Sequence, residues 1–498
     1  MVENNNINNT RKFKFSDLIE ELDKRKSTRL YWTLAAIATT GGFLFGYDTT
    51  NIGSALLFLP YTMTSFELGY LVAGASLGAA IGALLAGPIT DRSGRKYILI
   101  ADAGIYAIAA ILSAVSFNLI FLLLSRTLIG LAVGADSAIA TVYLVELAPK
   151  NKRGSLAVMQ QMMIVIGIVI AFIVAIIVFS LSPVVSFEKL YGWRILLGVA
   201  AIPAVLALAF RTRMPESPRW LILKGKYKHA QKSLMALGID IALDKLEELK
   251  YDSELINERQ NKKFKWTPGI KYAFMVIGIW IIFQQITGIN IPLYYGPLIL
   301  DKLHLFPSVV NPVYVAIYSI MATLIFGIVL VVFTYVMLIR EDTTGRRKLG
   351  LVGFAGMAAG MFVTTIFLYA HFEIGIILSL SIFLAFFSIG VGGAGWLLQA
   401  EYFPTNVRAT LASWIAALDW AANFAIIEIF PSMESSIGLG GSMLVFGVLA
   451  VIIVIILYEI MPETKDLNLE QVSNMFKSIG EKKLTVKEEV SLAKGNKE

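Results

Sequence analysis

The chain has 498 residues, is 56% apolar, carries charge on only 16% of its positions and has a net charge of +7, with a mean hydropathy of +0.69. Soluble domains are about 45–50% apolar and about 25% charged, and disordered chains are poorer still in apolar residues, so a soluble enzyme, a fibrous protein and a disordered chain are excluded and a polytopic membrane protein remains. With no cysteine and only His229, His304 and His371, widely scattered, the chain has no disulfide scaffold, thiol nucleophile or Cys-ligated metal, and neither metal nor cofactor is expected.

A hydrocarbon layer about 30 Å thick needs roughly 20 apolar residues per helix. After a polar, Asn-rich start, such stretches run over about 30–57, 68–88, 97–116, 119–145, 156–181 and 191–210 (spans 1 to 6). A hydrophilic insert follows, and then about 270–299, 312–339, 349–370, 374–399, 410–431 and 440–460 (spans 7 to 12). These are too long for β-barrel strands. The reading is a 1–29 tail, a 30–210 six-helix half, a 211–269 insert, a 270–461 six-helix half and a 462–498 tail. The first apolar run is of full span length and follows about thirty polar residues, so it reads as a signal anchor rather than a cleavable signal peptide. Around 243–260 an amphipathic stretch predicts short helices under the bundle.

Of the 43 Lys and Arg, only Lys189, Arg194 and Lys302 fall on the odd-numbered-loop side, and Arg126 lies inside a span. The rest sit in the tails and even-numbered loops, which makes both termini and the insert cytoplasmic. The positive charge is therefore topology, not a nucleic-acid footprint, and the surface partner is a lipid bilayer.

Three motifs recur in order at nearly one spacing. Glu146-Leu-Ala-Pro149 with Arg153 returns as Glu401-Tyr-Phe-Pro404 with Arg408; Asp91-Arg92-Ser-Gly94-Arg95-Lys96 returns as Asp342-Thr-Thr-Gly345-Arg346-Arg347; Pro215-Glu216-Ser217 returns as Pro462-Glu463-Thr464. Duplicated halves of this kind build transporters whose site lies between them near the midplane. Acids and bases alternate at the ends of both halves, so Asp91, Arg92, Arg95, Glu146, Arg153, Glu216, Arg219, Asp342, Arg346, Arg347, Glu401, Arg408 and Glu463 read as gating residues. Ion pairs that form in one state and break in another bias a two-state equilibrium; the bland alternative is solvated loop charge.

A charge at the bilayer centre costs about 2.5–3.5 kcal/mol on insertion scales, so Asp48 in span 1 and Arg126 in span 4 are either a structural ion pair or a functional one. In span 7, Gln284, Gln285, Asn290, Tyr294 and Tyr295 are costly in lipid and must face a cavity or neighbouring helices. Amides donate and accept as vicinal hydroxyls require, and Gly288 and Pro292 can break the helix. The Gly74-x3-Gly78-x3-Gly82 ridge of span 2 is packing scaffold.

These motifs, with Gly46-Tyr47-Asp48, Arg126-x3-Gly130, Pro218-Arg219-Trp220 and Gln284-Gln285-x2-Gly288-x-Asn290-x3-Tyr294-Tyr295, resemble the major facilitator superfamily and, within it, the sugar porter family, over about 40–470. The resemblance implies an all-α membrane protein of twelve transmembrane helices in two pseudo-symmetric six-helix halves, taking a pentose or hexose together with a proton at the cell membrane and working as a monomer. It makes Asp48 the proton-coupling carboxylate and Arg126 its partner, and adds Gln161, Trp396 and Trp420 to the sugar site. Facilitators of the family tend to be neutral at the Asp48 position, so symport is favoured over uniport.

The chain also departs from the family. Gly134-Ala135-Asp136 resembles the Gly-Gly-Asp of phosphate and organic-acid proton symporters, which keeps such a symporter as an alternative alongside a facilitative uniporter. Asp419 stands where sugar porters carry Asn or Gln. Each of these two acids is a second proton site, a ligand for hydroxyls, or a satisfied polar residue between helices. Asp102 and Glu428 read as structural. Ile168 and Leu330 replace amides common in relatives, and Gly392-Gly393-Ala-Gly395-Trp396 replaces the usual Gly-Pro-x-x-Trp.

Overall fold

The computed structural model describes residues 18, 29–147, 153–250, 265–303, 309–340, 344–404, 407–465, 467 and 469–481. Every described secondary-structure element is helical, the only arrangement besides a closed barrel that satisfies all backbone groups in hydrocarbon. Span 1 comprises Arg29–Ala38 and Thr40–Ala55, broken at Thr39. Spans 2 to 5 are Ser65–Ser93, Arg95–Ala114, Leu119–Leu147 and Arg153–Leu181, and span 6 runs in pieces from Val185 to Arg211. Spans 8 and 9 are Pro312–Arg340 and Arg346–Tyr369; span 10 joins Glu373–Phe387 to Gly393–Glu401 through a wider turn, Ser388–Gly392.

Among the described residues ten helices are long and apolar enough to cross a membrane by length and composition. Twelve crossings follow because the two pieces of span 1 together make one more, and the run Arg408–Ile460 holds two, interrupted at Gly438 (φ 73°). Large apolar side chains such as Ile108, Leu124, Ile202, Ile325 and Ile455 are exposed along the outside of the bundle, as a lipid-facing surface demands.

Local sequence starts the helices. Thr64 Oγ1 accepts from the Glu67 N–H while the Glu67 carboxylate accepts from the Thr64 N–H at 2.8 Å, a reciprocal cap. Thr267 caps span 7, with Pro268 in its first turn. The span 2 glycines pack as a ridge: a Cβ on Gly78 would stand 2.0 Å from the Thr127 carbonyl oxygen of span 4.

Span 7 is broken. Pro268–Ile286 stops, and Ile291–Tyr294 and Gly296–Lys302 resume the helix. Between them Gly288 has φ +82°, and a Cβ there would lie 2.6 Å from the Phe446 ring, so only glycine fits.

On the side away from the insert, the halves meet where a Gly53 Cβ would approach the Tyr294 carbonyl to 2.4 Å and a Gly69 Cβ the Glu428 carbonyl to 2.4 Å. On the insert side Gly87 faces Ser413, and Gly393 faces Val158. Helices Pro218–Leu223, Tyr227–Ala236 and Leu243–Glu247 occupy the insert; the rest of the amphipathic 243–260 stretch, from residue 251, lies outside the described residues. Nothing in the sequence reading anticipated the helix Leu469–Gly480, whose Val472, Met475, Phe476 and Ile479 are buried. Phe476 packs against Tyr402 with ring centroids 4.6 Å apart, so the C-terminal tail begins as a docked helix.

Candidate functional site

Between the halves lies a cavity whose empty volume, mouth included, is about 580 Å3. Its walls come from span 1 (Phe45, Thr49), span 5 (Gln161, Ile164, Val165, Ile168), span 7 (Gln284, Gln285, Ile289, Asn290, Leu293), span 8 (Leu330), span 10 (Phe387, Trp396) and span 11 (Asp419, Trp420, Asn423). The break in span 7 turns Gln284, Gln285 and Asn290 onto one wall. Among the described lining residues Asp419 alone is ionisable, and none is a cation.

The polar groups form one network. Gln285 Nε2 donates to Asp419 Oδ1 at 2.7 Å, while Gln285 Oε1 accepts from Asn290 Nδ2 at 2.9 Å and from Asn423 Nδ2 at 3.0 Å. Asn423 Oδ1 accepts from Ser76 Oγ at 2.9 Å, crossing between the halves. Trp396 Nε1 donates to Gln161 Oε1 at 3.4 Å, another link between halves, and Trp280 Nε1 donates to Gln284 Oε1 at 3.3 Å. Among the described residues the Gln161 and Gln284 NH2 groups and the Asn290 carbonyl make no such bond, so donors and acceptors remain for a ligand. Two indoles, Trp396 and Trp420, supply flat apolar faces; Trp420 is held edge-on by Phe45 at 4.7 Å and donates to Ser137 Oγ at 3.1 Å.

Seven of the eight residues read as substrate-binding line this cavity: Gln161, Gln284, Gln285, Asn290, Trp396, Asp419 and Trp420. Tyr294 does not. It is fully buried beyond the break, and its hydroxyl accepts from Thr49 Oγ1 at 3.3 Å; the change of direction at Gly288 aims it at span 1 instead. Asn423, Thr49 and Ser76 escaped the sequence reading. Asn423 was findable as the residue one turn beyond Asp419, hence on the same helix face.

The charged groups lie outside the cavity. Arg126 Nη1 donates to Asp48 Oδ1, and Arg126 Nε reaches the Leu71 carbonyl at 3.4 Å. Both members of this pair are buried, and neighbouring Thr49 carries the pair's helix to the cavity wall. Asp136 lies elsewhere. Its carboxylate takes a hydrogen bond from Arg211 Nη2 while Asp102 takes one from Arg211 Nη1. Asp136, read as a second proton site, a ligand for hydroxyls or a satisfied polar residue, is not among the described residues that line the cavity; its side chain lies between spans 1, 4 and 6.

The repeated motifs adopt repeated geometry. Arg95 Nη2 meets Glu146 Oε1 at 3.0 Å, and Arg346 Nη2 meets Glu401 Oε1 at 3.1 Å. Glu216 accepts the backbone N–H groups of Arg95 and Lys96, both at 3.1 Å, just as Glu463 accepts that of Arg346 at 2.9 Å. Each glutamate thus caps the start of span 3 or span 9, where the helix dipole favours an anion. Gly94 and Gly345 leave them room: an added Cβ would stand 2.3 and 2.2 Å from the respective carboxylate oxygen.

Burial pushes the Glu216 and Glu401 carboxyls above their ordinary range, against the opposing pull of the amides on the first and of Arg346 on the second. Arg95 also reaches Asp91 at 3.6 Å, and Arg347 donates to the Tyr458 carbonyl at 2.6 Å. Arg92 is exposed and Arg219 partly buried. Asp342 and the side chains of Arg153 and Arg408 lie outside the described residues. The pairs described here tie helix ends together within one half; none of them bridges the two.

Residues 34–476 match the model of the family described as sugar (and other) transporter. The chain is 32% identical over 449 residues to the arabinose-proton symporter of Bacillus subtilis, covering 89% of this chain and 94% of that one. It is 32% identical to the D-xylose transporter of Levilactobacillus brevis, covering 87% and 93%. Among solved structures, the partially occluded inward-open xylose transporter XylE from E. coli superposes with a TM-score of 0.74 at 27% identity, over 89% of this chain and all of that one. The proton:xylose symporter XylE bound to 6-bromo-6-deoxy-D-glucose superposes with a TM-score of 0.75 at 27% identity, over 90% and 99%. This chain shares the fold of these solved transporters, the second of them described as a major facilitator superfamily protein, and it belongs to the sugar (and other) transporter family.

Proposed function

We propose that this chain is a proton-coupled sugar symporter of the cell membrane, importing a neutral pentose or hexose by alternating access, with both termini and the insert on the cytoplasmic side and the monomer as the working unit. The observation that carries the reading is the inter-half cavity, in which amides stand around two indoles with no lysine or arginine among the described residues of its wall. Amides pair with vicinal hydroxyls in both directions, and an indole face matches the apolar face of a pyranose. The absence of a lining cation and the presence of Asp419 speak against phosphate or an organic acid as the substrate.

Asp48 is the coupling group. In this reading a state that parts Asp48 from Arg126 loads a proton, and a state that restores the pair releases it. Asp136 is a second group on the proton side of the cycle. The Arg95–Glu146 and Arg346–Glu401 pairs, with Glu216 and Glu463, lock the cytoplasmic helix ends of each half into rigid units that move against one another, which is how they gate.

The test is uptake of labelled pentoses, hexoses, phosphate and small acids into proteoliposomes with and without an inward proton gradient, for wild type and Asp48→Asn. For one proton per sugar, a gradient of one pH unit sustains about tenfold accumulation. Accumulation of a sugar that Asp48→Asn abolishes while exchange persists is the expected result. Uptake of an anion alone, or full accumulation by Asp48→Asn, would sink the reading.

A further inference from the structure

Away from the cavity, one guanidinium holds two carboxylates. Arg211, Asp102 and Asp136 are 0%, 3% and 2% exposed. Arg211 Nη1 donates to Asp102 and, at 2.7 Å, to the Leu99 carbonyl; Nη2 donates to Asp136 and, at 3.1 Å, to the Ala38 carbonyl. A single side chain of span 6 thus fastens spans 1, 3 and 4, and it grips span 1 beside its break at Thr39. Asp136 rests directly on Gly41 of span 1, where an added Cβ would meet the carboxylate at 1.9 Å.

The charge in this pocket does not balance. The charged groups acting on each carboxylate are Arg211 and the other carboxylate. From span 5 the neutral Gln160 side chain reaches Asp136, and span 1 contributes the Ala38 carbonyl and the backbone of Gly41. Tyr106, one turn beyond Asp102, is occupied with the Leu44 carbonyl at 3.1 Å. Among the described residues two anions therefore face one cation in a buried pocket, and the remaining oxygens, Asp102 Oδ2 and Asp136 Oδ2, have no hydrogen-bond partner. A buried, uncompensated charge is costly, and adjoining carboxylates relieve it by sharing one proton.

We propose that Asp102 and Asp136 hold one exchangeable proton between them, separate from that of Asp48, and that this triad is a proton sensor for the cytoplasmic end of span 1. The proton comes from cytoplasmic water, forms an O–H bond to one carboxylate and is accepted by the other. With it in place the site is neutral and the clamp stays closed. Its loss leaves a net negative charge that must be hydrated, so alkaline cytoplasm favours opening of that end. The sidedness rests on the orientation proposed above; the proton itself does not.

The measurement is the melting temperature of the purified full-length protein between about pH 6 and pH 9, the range in which buried carboxyls titrate. A proton bound more tightly in the folded than in the unfolded state stabilises at low pH, and that stability is lost as pH rises through the folded value. Wild type and Asp48→Asn should both lose melting temperature with rising pH. Asp102→Asn and Asp136→Asn should each flatten the loss, because a neutral amide replaces the protonated acid. An unchanged slope in either variant overturns the proposal.

A readout needing no triad variant is the infrared spectrum, which must show a protonated-carboxyl C=O band at neutral pH that survives Asp48→Asn; its absence also overturns the proposal. In right-side-out vesicles, sugar exchange should rise as the lumen is made alkaline, by at most about tenfold per pH unit, the slope of one proton, and Asp136→Asn should remove the rise. The melting and infrared readouts require no sugar, so failure of the symport reading leaves them standing.

Discussion

Gln285 is the hub of the cavity, and Gln285→Leu tests whether that cavity is the sugar site. The substitution keeps nearly the same volume but deletes three hydrogen bonds: to Asp419 at 2.7 Å, from Asn290 at 2.9 Å and from Asn423 at 3.0 Å. Bonds between neutral groups are worth about 0.5–1.5 kcal/mol each and those to a charged group about 1.5–3 kcal/mol. These groups border an open cavity, so water can re-pair them and the cost to folding stays near the low end, about 2 kcal/mol or less. For sugar the consequence is larger, because a hydroxyl brought to an apolar leucine loses its partner at a cost of about 1–3 kcal/mol. At 1.4 kcal/mol per decade, the dissociation constant should rise by roughly 5- to 150-fold. The assay is quenching of the indoles lining the cavity as sugar is titrated into purified protein, with thermal melting as the control for folding. Affinity within twofold of wild type in a well-folded Gln285→Leu protein would refute the assignment.

Gly288→Ala should abolish transport and lower the melting temperature, because it forces a side chain onto φ +82° and into the Phe446 ring, an overpacking worth about 1–3 kcal/mol beyond the backbone strain; Phe446→Leu should restore part of the loss, and an unaffected Gly288→Ala protein would contradict the described break. Because burial raises the Glu216 and Glu401 carboxyls, both bind a proton more tightly in the assembled helix ends than when exposed. Their contribution therefore favours assembly as pH falls and weakens it as pH rises, and Glu216→Gln with Glu401→Gln should reduce that dependence in melting curves. Phe476→Ala should lower the melting temperature by removing the ring packed on Tyr402, at about 3–5 kcal/mol for a buried phenylalanine, while Gln285-dependent sugar affinity stays unchanged.

Much of the candidate site was legible because polar residues in hydrocarbon are rare and conspicuous. Gln284, Gln285 and Asn290 announced themselves by their cost in an otherwise apolar span, and the glycine between them marked the break. Asn423 was harder to single out because one amide in span 11 looks like helix-packing glue. Tyr294 was misplaced for the complementary reason: it shares a segment with the amides but lies beyond Gly288, where the chain has changed direction. Asp136 was conspicuous as an intramembrane acid, yet its partner Arg211 looked like one more positive residue at a cytoplasmic helix end.

From the sequence alone came the number of spans, their order, the duplication, and the residues too polar to face lipid. These are local or periodic properties: apolar run length, the excess of Lys and Arg in alternate loops, and motifs repeated along the chain. Tertiary structure decided which face each helix turns to which neighbour. That rotation is set by close contact of small residues, such as Gly78 on the Thr127 carbonyl and Gly53 on the Tyr294 carbonyl, between segments far apart in the chain. Only after those contacts form do Ser76 and Asn423 meet across the halves, does Arg211 gather two acids, and does the helix Leu469–Gly480 find Tyr402. A helical period says that a residue has a side; packing says what stands on it.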